Sequence, residues 1–397
     1  MVNETNMARI WNKHKQSNTP LKRKVFVAMS GGVDSSVAAA LLKKAFFNVV
    51  GVFMKPWSAE AGESETNSKL QIPNSENYCL WKQDREDAMR VAAKLDIPLL
   101  TWDFSKEYEK HVAQYMIDGY RDGLTPNPDV MCNKFIKFGL FLDKALKLEA
   151  DYIATGHYVR KSEIRNPKFE TIGYKLRKAK DLNKDQSYFL YTLNQEKLKH
   201  CLFPVGDYKK TEIRKMAKKF GLPNWAKPDS QGVCFMGPLE VREFLKKNIR
   251  PKKGLVLRRS DDKILGEHDG VWFYTFGQRH GFGLSGGKPY YIVSKDIQKN
   301  ILYVDDLKNP KSEILNSKQI PSLKIQISEF NWIRKEKVPL DCKVKIRYRQ
   351  KDIDCTIIKN GKALALVKIK ENNLAIAPGQ AAVFYKGNEV LGGGIIF

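Results

Sequence analysis

The stretch KVFVAMSGGVDSSVAAALLKK, residues 24–44, decides the fold. Its first six residues are an apolar run with two β-branched valines, which reads as a buried strand, and SSVAAALLKK is rich in strong helix formers. Between them lie Gly31 and Gly32. Glycines here let backbone N–H groups approach an anion closely, the amino end of the following helix adds partial positive charge, and Ser30, Ser35 and Ser36 offer hydroxyls. A phosphate site is therefore expected from Ala28 to Ser35, made of Ala28, Met29, Ser30, Gly31, Gly32, Val33, Asp34 and Ser35. No lysine follows the glycines, so the loop of kinases and GTPases, G-x-x-x-x-G-K-[ST], is excluded.

Outward from this loop the alternation continues. NVVGVFM, LLTWDF and DYIATGH read as strands, and REDAMRVAAKLD, a segment from about Lys106 to Gly119, and KFGLFLDKALKLEA read as helices. Repeated strand–helix units imply a doubly wound parallel sheet with helices on both faces, which binds ligands at the carboxyl ends of its strands. Residues 58–79, rich in Ser, Glu, Asn and Gly, read as a long insertion, and residues 200–250 read as helical, with Thr211 capping TEIRKMAKKF before Gly221. After Pro251 the pattern changes to short alternating segments, with Asn360-Gly361 as a hairpin signal. The expected organisation is a basic extension over 1–24, an α/β domain over 25–250, a small β module over 251–310 and a C-terminal β-barrel over 311–397.

Lys and Arg number 69 against 44 Asp and Glu, a difference of +25, which attracts a polyanion at long range and points to nucleic acid. Six cysteines with no C-x-x-C pair and no Cys/His spacing of a metal site argue against a disulfide scaffold and against zinc, so no metal ligands are assigned. The longest uncharged apolar run, Phe46 to Met54, is interrupted by Asn48 and falls short of the roughly 20 residues a bilayer demands, so no membrane span is expected. The basic leader lacks the apolar core of a secretory signal. A cytoplasmic, monomeric protein is expected, with organelle import through residues 1–24 left open.

Two further stretches carry chemistry. In TPNPDVMCNKFIKFG, residues 125–139, two prolines stiffen a loop that presents Asp129 and then Cys132 at the start of a helix, where the macrodipole, Lys134 and Lys137 favour a thiolate. In DSQGVCFMG, residues 229–237, Cys234 lies in a second loop. GFGLSG, residues 281–286, spells a dinucleotide fingerprint but is followed by a strand-like segment rather than a helix, so that reading fails.

S-G-G-x-D-S resembles the pyrophosphate loop of enzymes that split ATP into AMP and pyrophosphate. Taken with VFMKPW, NPDVMCNKFIKFG, DYIATGHYVR, NKDQSYFLYTL, DSQGVCFMG and PGQAAVFYKGNEVLGGGI, the chain resembles, from about Lys24 onward, the tRNA 2-thiouridylases of the MnmA/TrmU type, which put sulfur in place of the C2 oxygen of the wobble uridine. The resemblance implies an ATP site extended by Met54 and Gly156, with Mg²⁺ on the phosphates. It implies a catalytic pair, Cys132 and Cys234, with Asp129 as general acid/base, and a sulfur-relay protein as persulfide donor. For tRNA it implies Asn127, Pro128, Asp129, His157, Lys184, Asp185, Gln186, Arg347, Tyr348 and Gln380. Ala28 and Gln231 depart from the family pattern, which often has Gly and Thr there. Another pyrophosphate-loop tRNA-modifying or amidating ligase would need no cysteine pair, and a non-enzymatic RNA-binding protein would form no AMP.

Overall fold

The computed structural model of the protein describes residues 23–55, 57, 80–166, 171–229, 241–284, 289–306, 323–361, 364–371 and 376–397. A five-stranded parallel sheet holds β1 (Lys24–Ala28), β2 (Asn48–Lys55), β3 (Leu99–Asp103), β4 (Tyr152–Ala154) and a short strand, Cys201–Leu202, in the order β3-β2-β1-β4 with Cys201–Leu202 at the edge. Successive side chains of a strand point to opposite faces, and both faces here are apolar. Phe26 and Ala28 pack in one core with Val52, Trp102 and Ile153, whereas Val25, Val27 and Met29 pack in another with Val49, Phe53 and Ala154. A central strand buried on two sides must read as a continuous apolar run, which is why KVFVAM carries no polar residue after Lys24.

The helices α1 (Val33–Lys44) and α2 (Leu80–Leu95) cover the second face, through Val37, Leu42, Ala88 and Val91. The first face is covered by two long helices interrupted by π turns. One, α3, runs through Ser105–Tyr108, Glu109–Ala113 and Gln114–Arg121; the other, α4, through Pro128–Met131, Cys132–Leu140 and Phe141–Lys147. Each thus begins or extends beyond the span that periodicity alone predicts, and α4 begins nine residues before the expected KFGLFL. Between residues 200 and 250, read as helical throughout, the described residues form only the edge strand, Lys210–Lys219 and Val241–Asn248 as regular elements. Thr211 does not cap the former. The cap position is Lys209, whose N–H donates to the Glu212 carboxylate at 2.6 Å.

Beyond Pro251, the strands Gly254–Arg258, Ile264–His268, Tyr291–Asp296 and Ile301–Asp305 make a four-stranded sheet. The strand that follows GFGLSG is therefore real. Six strands, Leu323–Trp332, Leu340–Lys345, Ile353–Asn360, Leu364–Ile369, Ala381–Lys386 and Glu389–Ile396, close into a barrel because the first also pairs with the last. Asn360 ends the third of these strands and Gly361 begins its connection to the fourth.

The sequence reading missed a hairpin of two eight-residue strands, Val159–Asn166 and Thr171–Lys178, that leaves the α/β domain and pairs with the barrel strand Glu389–Ile396. Its junction is held by Lys178, only 6 % exposed, whose Nζ lies 2.6 and 2.8 Å from the Asp352 carboxylate and 4.4 Å from the Tyr385 ring centre. Removing Asp352 would leave a buried ammonium without its counter-charge. Asp352→Ala is expected to cost about 3 kcal/mol in urea unfolding, and adding Lys178→Met to it to recover most of the loss. A double variant as unstable as the single one would show that the ion pair is not what fastens the hairpin.

Candidate active site at the switch point

β1 and β4 are neighbours from which the sheet is wound in opposite directions, so their carboxyl ends open a crevice at the topological switch point. Two glycines let the chain enter it. Gly31 has φ +73°, and a Cβ there would lie 2.1 Å from the Asp84 carbonyl oxygen of α2; a Cβ on Gly156, just past β4, would lie 2.7 Å from the Ser35 nitrogen. No side chain fits at either position. The loop between β1 and α1 is tied to itself: Ser35 Oγ donates to the Gly32 carbonyl at 3.0 Å, Ser36 Oγ donates to the same oxygen at 2.8 Å, and Ser30 N–H donates to Ser35 Oγ at 3.3 Å. Gly32 at the cap position of α1 supplies no side chain, so the first amides of the helix face the crevice without an internal acceptor. Ala28, Met29 and Met54 are buried at the strand ends that frame the loop.

Charged side chains surround this loop. Asp34 accepts from Tyr158 Oη at 2.8 Å and from Lys210 Nζ at 2.7 and 2.8 Å. Lys210 also lies 2.8 Å from Asp229, which accepts as well from Lys184 at 2.6 Å and from Arg214 at 2.7 Å. Partial burial raises the Asp229 carboxyl, but the bonds from Lys184 and Lys210 outweigh it and hold its pKa down at about 2. Burial and the adjacent Asp34 charge raise the Tyr158 phenol, which stays a donor. Asp34 and Asp229 thus hold three cationic side chains near the amino end of α1. That arrangement suits the phosphates of a nucleotide. Tyr158, Lys210, Arg214 and Asn224 were not singled out in the sequence. The only signal was local: Lys210 and Arg214 fall on successive turns of one helix, which was read as packing alone.

α4 carries the second set of expected residues. Asn127 is its cap, its side chain accepting from the Val130 N–H at 3.3 Å, with Pro128 in the first turn and Asp129 beside it. Cys132 is therefore not at the helix start but on its second turn, at the head of a π-helical stretch, and it is fully buried. Six residues on, Phe138 departs from helical geometry (φ −109°, ψ 15°) and its ring lies 5.8 Å from that of His157. His157 is 8 % exposed, and its Nδ1 is 2.8 Å from Thr155 Oγ1; burial first, and the Lys137 charge second, push its pKa well below the usual value, so the ring is neutral. Cys234 and Gln231 lie outside the described residues, as do residues 58–79 except for Cys79's neighbours from Leu80 onward.

The residues expected at tRNA are divided between the α/β domain and the barrel. Gln186 Oε1 accepts from the Tyr158 N–H at 2.9 Å, tying its loop to the crevice. Asp185 is buried and accepts from the N–H groups of Ala179 and Ser187, so it organises that loop from inside, while Lys184 reaches Asp229. Tyr348 from the barrel packs on Phe189 with ring centres 4.6 Å apart, and Arg347 donates to the Phe276 carbonyl of the small β module at 2.9 Å. The carbonyl of Pro378, two residues before Gln380, accepts from the Thr125 N–H at the start of the Asn127 loop. All three units thus meet around that loop. Among the described residues, no group of three or more His, Cys, Asp or Glu side chains could hold a metal ion, and no helix is long and apolar enough to cross a membrane.

Comparison with known proteins covers the same three units. The families described as tRNA methyl transferase HUP domain, tRNA methyl transferase PRC-barrel domain and aminomethyltransferase beta-barrel domain match residues 23–238, 242–306 and 322–396. The chain is similar to the tRNA-specific 2-thiouridylase MnmA of Bacillus licheniformis, 43 % identical over 379 residues and 95 % of each chain. It is 41 % identical to that of Bacillus subtilis over 384 residues, again 95 % of each chain, and 40 % identical to MnmA 2 of Geobacillus kaustophilus over 383 residues and 96 % of each chain. Among solved structures, NMN synthetase from Francisella tularensis aligns with a TM-score of 0.32 at 13 % identity, over 60 % of this chain and 78 % of that one, a likeness too slight to bear on function.

The neutral, buried His157 makes a pH prediction. Because the folded ring resists protonation and the unfolded one does not, the unfolded state binds the extra proton below about pH 6.5, and stability should fall there by up to about 1.4 kcal/mol per pH unit. His157→Gln is expected to flatten the loss of melting temperature between pH 7 and pH 5. An unchanged slope would place the acid-sensitive group elsewhere.

Proposed function

The chain belongs to the tRNA-specific 2-thiouridylase family, and from that membership we propose that it replaces the C2 oxygen of the tRNA wobble uridine with sulfur at the expense of ATP. The observation that carries the reading is the glycine loop at the switch point, with its open α1 amides, flanked by Lys210 and joined through Gly156 and His157 to the helix that carries Cys132. A uracil C2 oxygen is a poor leaving group, so it is first made a better one. The oxygen attacks the α-phosphorus of ATP, the bond to the β-phosphate breaks, and pyrophosphate departs into the Gly31-Gly32 loop, where amides and Lys210 neutralise its charge. Mg²⁺ bound to the phosphates would spread that charge further. Both Asp34 oxygens are already bonded, to Lys210 and Tyr158, so no carboxylate of the loop is assigned to the ion.

Sulfur arrives as a persulfide on Cys234, loaded by a relay protein. The Cys132 thiolate attacks the Cys234 sulfur, forming a Cys132–Cys234 disulfide and releasing hydrosulfide, which adds at C2 and expels AMP; a cellular thiol then returns two electrons to the disulfide. Asp129, three residues from Cys132 on the α4 first turn, is the group assigned to move protons on the base. The base reaches it only by leaving the anticodon stack. Lys184, Arg347, Tyr348 and Gln380 supply the tRNA surface, and the +25 charge of the chain draws the RNA in.

The test is mass spectrometry of the wobble uridine after incubation with tRNA, ATP and a sulfide source, with AMP counted alongside. Thiolated base and AMP are expected in equal amounts, and both depend on tRNA. Cys132→Ser and Cys234→Ser should each abolish persulfide-driven thiolation, whereas full activity in both would favour an amidating ligase, and tRNA binding without AMP would favour a binding protein. Lys210→Met, which removes a cation from beside the leaving pyrophosphate, is expected to lower kcat/KM for ATP by about 10²-fold. In the protein without tRNA, burial should make Cys132 slow to react with iodoacetamide relative to the same residue in urea.

A further inference from the structure

Asn224 stands three residues past the Gly221 that ends the Lys210–Lys219 helix, and is 6 % exposed. Its Nδ2 donates to the Gly31 carbonyl at 2.9 Å and to Ser36 Oγ at 2.9 Å, so both amide hydrogens end on the nucleotide loop. Its Oδ1 is buried with no hydrogen-bond partner among the described residues. A buried amide that leaves its acceptor unsatisfied is retained against its own cost, and the benefit has to lie with what the donors hold.

What they hold is the orientation of two peptide planes. In a trans peptide the carbonyl and the next N–H point in opposite directions. With the Gly31 oxygen drawn toward Asn224, the Gly32 N–H is turned to the other side of the loop. Ser36 Oγ, itself held by Asn224, donates to the Gly32 oxygen at 2.8 Å and so turns the Val33 N–H the same way. The Gly32 N–H has only a long 3.4 Å contact with Ser30 Oγ, one that an anionic oxygen displaces readily. Glycine at 31 and 32 makes these planes free to rotate; a fixed donor behind them removes that freedom.

We propose that Asn224 is a positioning residue of the nucleotide site, which preorganises the Gly32 and Val33 amides for the pyrophosphate portion of ATP without touching it. The inference rests on the reading of this loop as the pyrophosphate site. Asn224 also sits on the segment that leads to Cys234, and that segment is bolted to α2 by Lys227, whose Nζ lies 2.6 Å from Asp84 and 2.5 Å from Asp87. The stretch of chain that fixes the anion loop therefore precedes Cys234 by ten residues in the sequence.

The experiment uses the full chain and calorimetric titration with pyrophosphate and, separately, with adenosine. Asn224→Ala and the near-isosteric Asn224→Leu both remove the donors and the unsatisfied oxygen, and Leu fills the volume that Ala leaves empty, so it keeps the packing and the fold if Ala does not. Each folded variant is expected to bind pyrophosphate about tenfold more weakly, the equivalent of one good hydrogen bond, and adenosine as the wild type does. Wild-type pyrophosphate affinity in either folded variant overturns the inference while leaving the loop reading intact, as does an equal weakening of adenosine, which marks general loosening. A wild-type protein that binds neither ATP nor pyrophosphate fails the loop reading itself and takes the inference with it.

Discussion

Two close approaches of backbone to backbone hold this site in place: Gly31 against the Asp84 carbonyl of α2, and Gly156 against the Ser35 nitrogen at the head of α1. Each leaves no room for a Cβ. Together they press one strand end, one helix end and one neighbouring helix into a single contact, and the crevice is what remains open between them. A protein interior packs at crystal density, so a side chain forced in at either point would displace the loop as a unit rather than be absorbed locally. The catalytic geometry thus depends on an absence of atoms at two positions more than on any attraction.

Attraction does its part in the charges around that contact. Lys210 lies between Asp34 and Asp229, while Lys184 and Arg214 hold the far side of Asp229. In partly buried ion pairs of this kind the loss of hydration offsets much of the attraction, so they contribute little to stability. Their value is positional: the carboxylates keep three long, flexible cationic side chains near the loop, so that a polyphosphate meets charge already in place. The low pKa of Asp229 follows from the same crowding, since Lys184 and Lys210 bond its ionised form.

The parallel sheet was legible because its central strands are buried on both faces. KVFVAM and NVVGVFM have no polar face to confuse the period, and the glycines between strand and helix have no other use. The barrel was legible from alternation and from Asn360-Gly361. The hairpin from Val159 to Lys178 was not, because VRKSEIRN and TIGYKLRK alternate charge as much as hydrophobicity, and their pairing to a strand more than 200 residues later is a long-range fact. The start of α4 was hidden by Pro128. A proline suggests a loop, yet at the first turn of a helix it costs no hydrogen bond, and Asn127 capping it completes the signal in retrospect.

The candidate site divides in the same way. Residues whose role is carried by backbone, Gly31, Gly32 and Gly156, are readable because few other residue types satisfy such geometry. Residues whose role depends on where a distant segment lands are not. Lys210, Arg214 and Asn224 lie on a helix and turn that looked like packing, and only the fold brings Lys210 to Asp34 and Asn224 to Gly31, residues far earlier in the chain, while Arg214 supports the site through Asp229. Burial of Cys132 is the sharpest instance. Sequence placed it in an electropositive setting that favours a thiolate, whereas the fold sets it on the second turn of α4 with no exposed surface. A thiol so enclosed is protected from stray oxidants and alkylators, a property that the sequence alone does not reveal. The π-helical stretch that begins at Cys132 and ends beyond the irregular Phe138 is where that helix is least regular, and periodicity in the sequence, which assumes 3.6 residues per turn, does not foresee which side chain such a stretch turns inward.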